Sequence, residues 1–178
     1  MIEKIPQLKD ALQTVQGHVF YTFQDLNNYI DNAIAYTVSG VEQGSQVLLV
    51  ENTKLFPVIQ RKLGEILSEE QLSSVHFKNN FDFYFSQRTF NPVIVFNHFV
   101  KSLEDETPIR TWGHIEWGSM QEAQQEIIQY ENNINELITL KSLTSVCAYN
   151  ADRMPEEFKK ALLQCHEFFM TDDEMIKI

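Results

Sequence analysis

The chain has 178 residues, a formal charge of −11 and a sequence pI near 4.8, with 43% hydrophobic and 22% charged residues. That is long enough for one domain with its own core and too apolar for a disordered chain. No more than two basic residues stand side by side, so a footprint for nucleic-acid phosphates is missing, and no apolar run reaches the roughly 18 residues of a membrane span.

The opening "MIEKIPQLKD" has no apolar signal region, which points to a cytoplasmic chain, and residues 1–16 read as a lead-in helix or tail. "HVFYTF" (His18 to Phe23) predicts a strand bounded by Gly17. Thr22 with Asp25 predicts a helix cap with its reciprocal acid. Leu26, Tyr29, Ile30, Ala33, Ile34, Thr37, Val38 and Val41 then recur at helical spacing, and Gly40 and Gly44 mark the end of that helix and the turn beyond it.

"QVLLVEN" is a continuous apolar run, the mark of a strand covered on both faces. A second helical period runs from Leu55 to Leu67, and "SVHFKN" is a weaker strand. "FDFYFSQRTF" is aromatic but irregular and predicts a packed loop. Asn91 with Pro92 predicts a helix start, with Val95, Phe96, Phe99 and Leu103 on one stripe.

"RTWGHIEWG" predicts a strand and holds both tryptophans of the chain. Ser119 with Glu122 predicts a capping box. The helix it opens has an apolar stripe of Met120, Ala123, Ile127, Tyr130, Ile134, Leu137 and Ile138. "LTSVCAYN" predicts another buried strand, Pro155 begins a last helix, and "FFMTDDEMIKI" predicts a hairpin turning at Asp172–Asp173. Strands alternating with helices imply an α/β fold, a mostly parallel sheet with helices on both faces, within a single domain spanning 1–178.

Ligands in such sheets sit at the carboxyl ends of the strands. Those ends are Glu51–Asn52, His114–Trp117 and Tyr149–Asn150. No GxxxxGK[ST], GxGxxG or GxSxG occurs, which argues against a nucleotide-hydrolysing or nucleophile-elbow enzyme. Cys147 and Cys165 lack CxxC spacing and read as free buried thiols. Cys165 and His166 are neighbours on a predicted helix and do not face each other.

Strand alternation puts Trp112, His114 and Glu116 on one face. Three readings stay open for His114 and Glu116. They are an acid–base pair, a metal pair that still needs a third ligand (His18, His76 or Glu51), or a ligand-contacting or structural edge.

The ordered segments "HVFYTF", "GVEQGSQVLLVEN", "FDFYFSQRTFNP", "IRTWGHIEW", "YENNIN" and "VCAYNADRMPEEFKKALLQCHEFF" together resemble the methanogen/methylotroph DcmR sensory (MEDS) domain. The resemblance covers His18 to the C-terminus. It implies a RecA/KaiC-like core without a phosphate loop, in a family whose members are thought to sense small molecules such as hydrocarbon derivatives. His18 and Tyr21 match the family's opening, Arg110, Gly113 and Trp117 its R…G…W strand, Glu131 and Asn132 its helix, and Cys147, Tyr149 and His166 its ending. The family strand carries an acid directly after the glycine, whereas this chain has His114 there and Glu116 two later.

The residues ahead of this stretch are too few for an output domain, so the expectation is a stand-alone, non-enzymatic regulator. It would bind a small, partly apolar molecule, with no cofactor or metal, and signal through a protein partner; a homodimer is a further option. The ligand-contact set is His18, Tyr21, Glu51, Asn52, Tyr84, Arg110, Trp112, His114, Glu116, Trp117 and Tyr149. The alternatives are a ligand-free interaction module for a kinase or transcription factor, and an enzyme using His114 and Glu116.

Overall fold

The computed structural model describes residues 7–85, 92–117, 121–141 and 143–178. The apolar runs become strands: β1 (His18–Phe23), β2 (Gln46–Glu51), β3 (Val75–Asn79), β4 (Ile109–His114) and β5 (Thr144–Asn150). Apart from β3 they are buried along nearly their whole length, as parallel strands covered on both faces must be. The half-buried β3 takes one edge of the sheet. The tail forms the predicted hairpin, β6 (Phe168–Met170) and β7 (Met175–Lys177), whose turn includes Asp172 and Asp173.

The sheet order is β3-β2-β4-β5-β1-β6-β7, parallel throughout except for the β6–β7 pair. α1 (Leu8–Thr14), α2 (Leu26–Glu42), α3 (Phe56–Ile66) and the single turn α4 (Glu69–Leu72) lie on one face, over a core built on Val19, Leu49, Trp112 and Val146. α5 (Asn80–Tyr84), α6 (Pro92–Lys101), α7 (Gln121–Lys141) and α8 (Glu156–Gln164) cover the other, over Phe20, Leu48 and Cys147. Ile127, Tyr130, Ile134 and Ile138 are the buried stripe of α7 at the predicted spacing.

Several local expectations are corrected. The cap of α2 is Asp25, whose carboxylate accepts from the Asn28 amide at 2.9 Å, because Thr22 is still in β1. Gly40 lies inside α2 rather than at its end, while Gly44 (φ +84°) takes the left-handed turn beyond it, as expected. Part of the predicted aromatic loop is helical, since the Asn79 side chain caps α5 by accepting from the Asp82 amide. β4 ends at His114, so Ile115, Glu116 and Trp117 belong to the following loop rather than to a strand face. The Asn91 cap and Ser119, the cap of the box predicted with Glu122, fall outside the described residues.

Chain order fixes where a ligand can lie. β2 leads outward to β3, whereas its neighbour β4 leads the opposite way to β5. Helical crossovers therefore diverge from this pair, leaving a crevice at their carboxyl ends.

Candidate functional site

A pocket of about 210 Å³ opens at that crevice. It is smaller than the ~300 Å³ where drug-sized sites begin, so it suits a molecule of few atoms. Phe23, at the end of β1, with Leu26 and Trp117 gives it an apolar wall, and Asn52, His114 and Glu116 bring polar groups to it. Asn150 and Arg153, at and just beyond the end of β5, close the rim. The Arg153 guanidinium donates to the Trp117 carbonyl (3.3 Å), which ties this rim to the tryptophan loop.

His114 is held by a buried chain of hydrogen bonds. Its Nδ1–H donates to Glu51 Oε1 at 2.6 Å, the Tyr29 hydroxyl donates to Glu51 Oε2 at 2.5 Å, and Trp112 Nε1–H donates to Tyr29 at 2.9 Å. Glu51 is fully buried. Because the carboxylate only accepts, the proton on that side of the ring is fixed and Nε2 is the atom turned to the pocket side, 3.9 Å from Glu116 Oε1. Glu116 is itself steered by Asn80, whose amide donates to Oε2 at 2.8 Å and also to the His114 carbonyl. The site thus presents one oriented imidazole and one half-exposed carboxylate beside an aromatic wall, an arrangement suited to binding a small molecule through one or two hydrogen bonds.

The other predicted contact residues lie elsewhere. Arg110 is at the amino end of β4, its guanidinium donating to the Leu12 and Gln13 carbonyls at 3.1 and 3.0 Å, so it clamps α1 to the sheet. Tyr21 donates to Asp172 at 2.6 Å. Tyr84 is buried against Gly113, where a Cβ would collide with its hydroxyl oxygen. Tyr149 is buried behind the pocket, 5.7 Å from the Trp117 ring, and its hydroxyl donates to Glu131. Glu51 and Trp112 reach the pocket only through His114 and Tyr29. Phe23, Leu26 and Arg153 were missed by the sequence reading. Each sits at a strand's carboxyl end or the first turn after it, the same signal that identified Asn52.

His18 stands on the opposite face of the sheet, in a fully enclosed group with Glu131, Cys147 and His166 whose facing side-chain atoms all lie within 4.8 Å of one another. Burial lowers the basicity of His18, and the neighbouring His166 lowers it further. Burial alone would raise the Glu131 carboxyl, but His166 and His18 hold it well below the usual carboxylate range.

The connection from β1 to α2 is only Gln24 and Asp25, and their backbone amides donate to Asp172 Oδ2 at 3.0 and 2.9 Å. A phosphate loop needs free amides in a longer glycine-rich connection. Here a carboxylate of the chain itself takes them. Among the described residues no helix is long and apolar enough to cross a membrane.

Comparison with known sequences matches residues 17–167 to the family described as MEDS, MEthanogen/methylotroph, DcmR Sensory domain. No curated protein matches. Among solved structures, the ATPase domain of G40P superposes with a TM-score of 0.56 at 9% identity, covering 88% of this chain and 69% of that one. This likeness establishes a RecA-like fold and nothing of activity. PCH-2 of C. elegans aligns with a TM-score of 0.42 at 10% identity, over 92% of this chain and 38% of that one.

Proposed function

The chain belongs to the MEDS family of sensory domains, and on that premise we propose that it binds a small, partly apolar molecule in the pocket between His114 and Trp117 and reports occupancy to a protein partner. The carrying observation is the convergence of an imidazole fixed in one tautomer with an aromatic wall at the sheet's topological switch point. A pocket of about 210 Å³ with so few polar groups favours a short-chain compound bearing one oxygen function over a nucleotide. The amides of the β1–α2 turn, already bonded to Asp172, support the same choice. Packing supports the relay: the Trp117 ring packs at a tilt on that of Tyr149, which is bonded to Glu131 on α7. A molecule that displaces Trp117 therefore acts on a helix with an exposed outer face.

Intrinsic fluorescence tests this directly, because Trp117 is at the pocket and Trp112 is deep in the core. Titration with short-chain alcohols, aldehydes and carboxylates is expected to give a saturable change for at least one class, absent in Trp117→Phe. Native mass spectrometry of the fresh protein is expected to show the same class as extra mass. Flat emission across the panel together with a bare native mass would overturn the reading.

A further inference from the structure

On the α7 face of the sheet, we propose that His18, Glu131, Cys147 and His166 form a four-ligand site for a zinc-class divalent cation. The inference does not depend on the pocket reading. The argument starts from the two rings. His18 Nδ1 lies 3.0 Å from the Cys165 carbonyl and His166 Nδ1 lies 2.6 Å from the Leu162 carbonyl. A carbonyl can only accept, so both Nδ1 atoms carry a proton and both Nε2 atoms turn inward, where each is a lone pair in the neutral ring. They converge on one carboxylate oxygen: Glu131 Oε2 is 3.0 Å from His18 Nε2 and 3.4 Å from His166 Nε2.

Two lone pairs facing a carboxylate repel unless a positive charge lies among them. Protonating both rings does not resolve this, because their centroids are only 3.8 Å apart and two imidazolium charges would oppose each other in a water-free interior. One proton serves one ring and leaves the other stranded. His166 Nε2 is indeed buried with no hydrogen-bond partner. A single metal ion satisfies both nitrogens and the carboxylate at once.

The fourth ligand makes the group specific. Cys147 Sγ is 3.5 Å from His18 Nε2. Bonds of about 2.0–2.3 Å in a tetrahedral zinc site require ligand atoms about 3.3–3.8 Å apart. The 3.0, 3.4 and 3.5 Å separations stand close to that, and the remaining pairs, none beyond 4.8 Å, need only draw in around the ion. Charge closes as well. A divalent ion with one carboxylate, one thiolate and two neutral imidazoles is neutral, which full burial demands. Binding converts the Cys147 thiol to thiolate and releases its proton, plus any proton held between the rings and Glu131.

Metal-bound histidines usually donate their other N–H to a backbone carbonyl, and metal-bound carboxylates are themselves hydrogen-bonded. The Cys165 and Leu162 carbonyls and the Tyr149 hydroxyl on Glu131 Oε1 supply those partners. All four positions come from protein, so the site is of the closed kind that ties elements together. The elements are β1, α7, β5 and the link from α8 to β6.

The test uses the whole chain, stripped with a chelator and checked for fold by circular dichroism, then titrated with Co(II) and back-titrated with Zn(II). One metal per chain is expected, with a thiolate-to-cobalt charge-transfer band that Zn(II) abolishes. Cys147→Ser should lose the band, His166→Gln should weaken binding about tenfold or more, and His76→Gln should leave both intact. X-ray absorption on the zinc-loaded wild type needs no variant to fold and is expected to show one sulfur beside nitrogen and oxygen ligands. A folded wild type that takes up neither ion, or a bound ion with no sulfur neighbour, overturns the proposal and leaves the group a buried ion pair.

Discussion

The Tyr21 hydroxyl and the Asp172 carboxylate meet at 2.6 Å, and that contact adds a side-chain tie between the C-terminal hairpin and β1 to the β1–β6 ladder. Asp172 also accepts from the Gln24 and Asp25 amides, so one side chain fixes the start of α2. Hydrogen bonds to a charged group contribute about 1.5–3 kcal/mol when buried, and less at a half-buried site. Asp172→Ala is therefore expected to lower stability by about 2 kcal/mol in urea unfolding. An unchanged midpoint would show that these bonds merely replace bonds to water.

Gly113 permits the close seating of Tyr84 on β4, since a Cβ there would overlap the phenol oxygen. Overpacking of this kind costs about 1–3 kcal/mol. Gly113→Ala is expected to destabilise by that amount in the native background and by clearly less in Tyr84→Phe, where the oxygen is gone. Additive single effects in the double-mutant cycle would deny that the two positions are coupled.

All six tyrosines are pushed above their ordinary value of 10.0, chiefly by burial, and for Tyr21, Tyr29 and Tyr149 also by a bonded carboxylate. The folded chain therefore keeps phenolic protons that the unfolded chain releases above about pH 10. Stability from this source is intact below that pH and falls above it, by up to about 1.4 kcal/mol per pH unit for each phenol. Tyrosinate absorbance should rise together with loss of far-ultraviolet dichroism in one alkaline transition. Tyrosinate appearing while the fold persists would contradict the burial.

Strands β1, β2 and β5 were legible because burial on both faces leaves an uninterrupted apolar run, and β6–β7 because Asp172–Asp173 separates two short apolar stretches. The extent of β4 was not legible: alternation continues through Glu116 in sequence, but pairing with β2 and β5 stops earlier. α5 was hidden by its aromatic content, which outweighed the Asn79 cap. The crevice followed from strand ends alone. The His18 group did not, since Glu131 and Cys147 stand 113 and 129 positions from the histidine they meet. One signal was present: Glu131 falls between Ile127 and Ile134 on the buried stripe of α7, where an acid needs a partner.

The pocket reading predicts most sharply at Leu26, which lines the cavity yet is 47% exposed. A substitution there changes the cavity without opening the core. Leu26→Trp places a larger ring beside Phe23 and Trp117 and should fill much of the roughly 210 Å³. Surface changes outside special features usually stay within about 0.5 kcal/mol, so the thermal midpoint should hardly move. Affinity for whichever short-chain compound alters Trp117 emission in the wild type should fall at least about tenfold, equivalent to about 1.4 kcal/mol. Calorimetric titration of both proteins checks this. Equal affinities at equal stability would place the binding site away from the ends of β2 and β4.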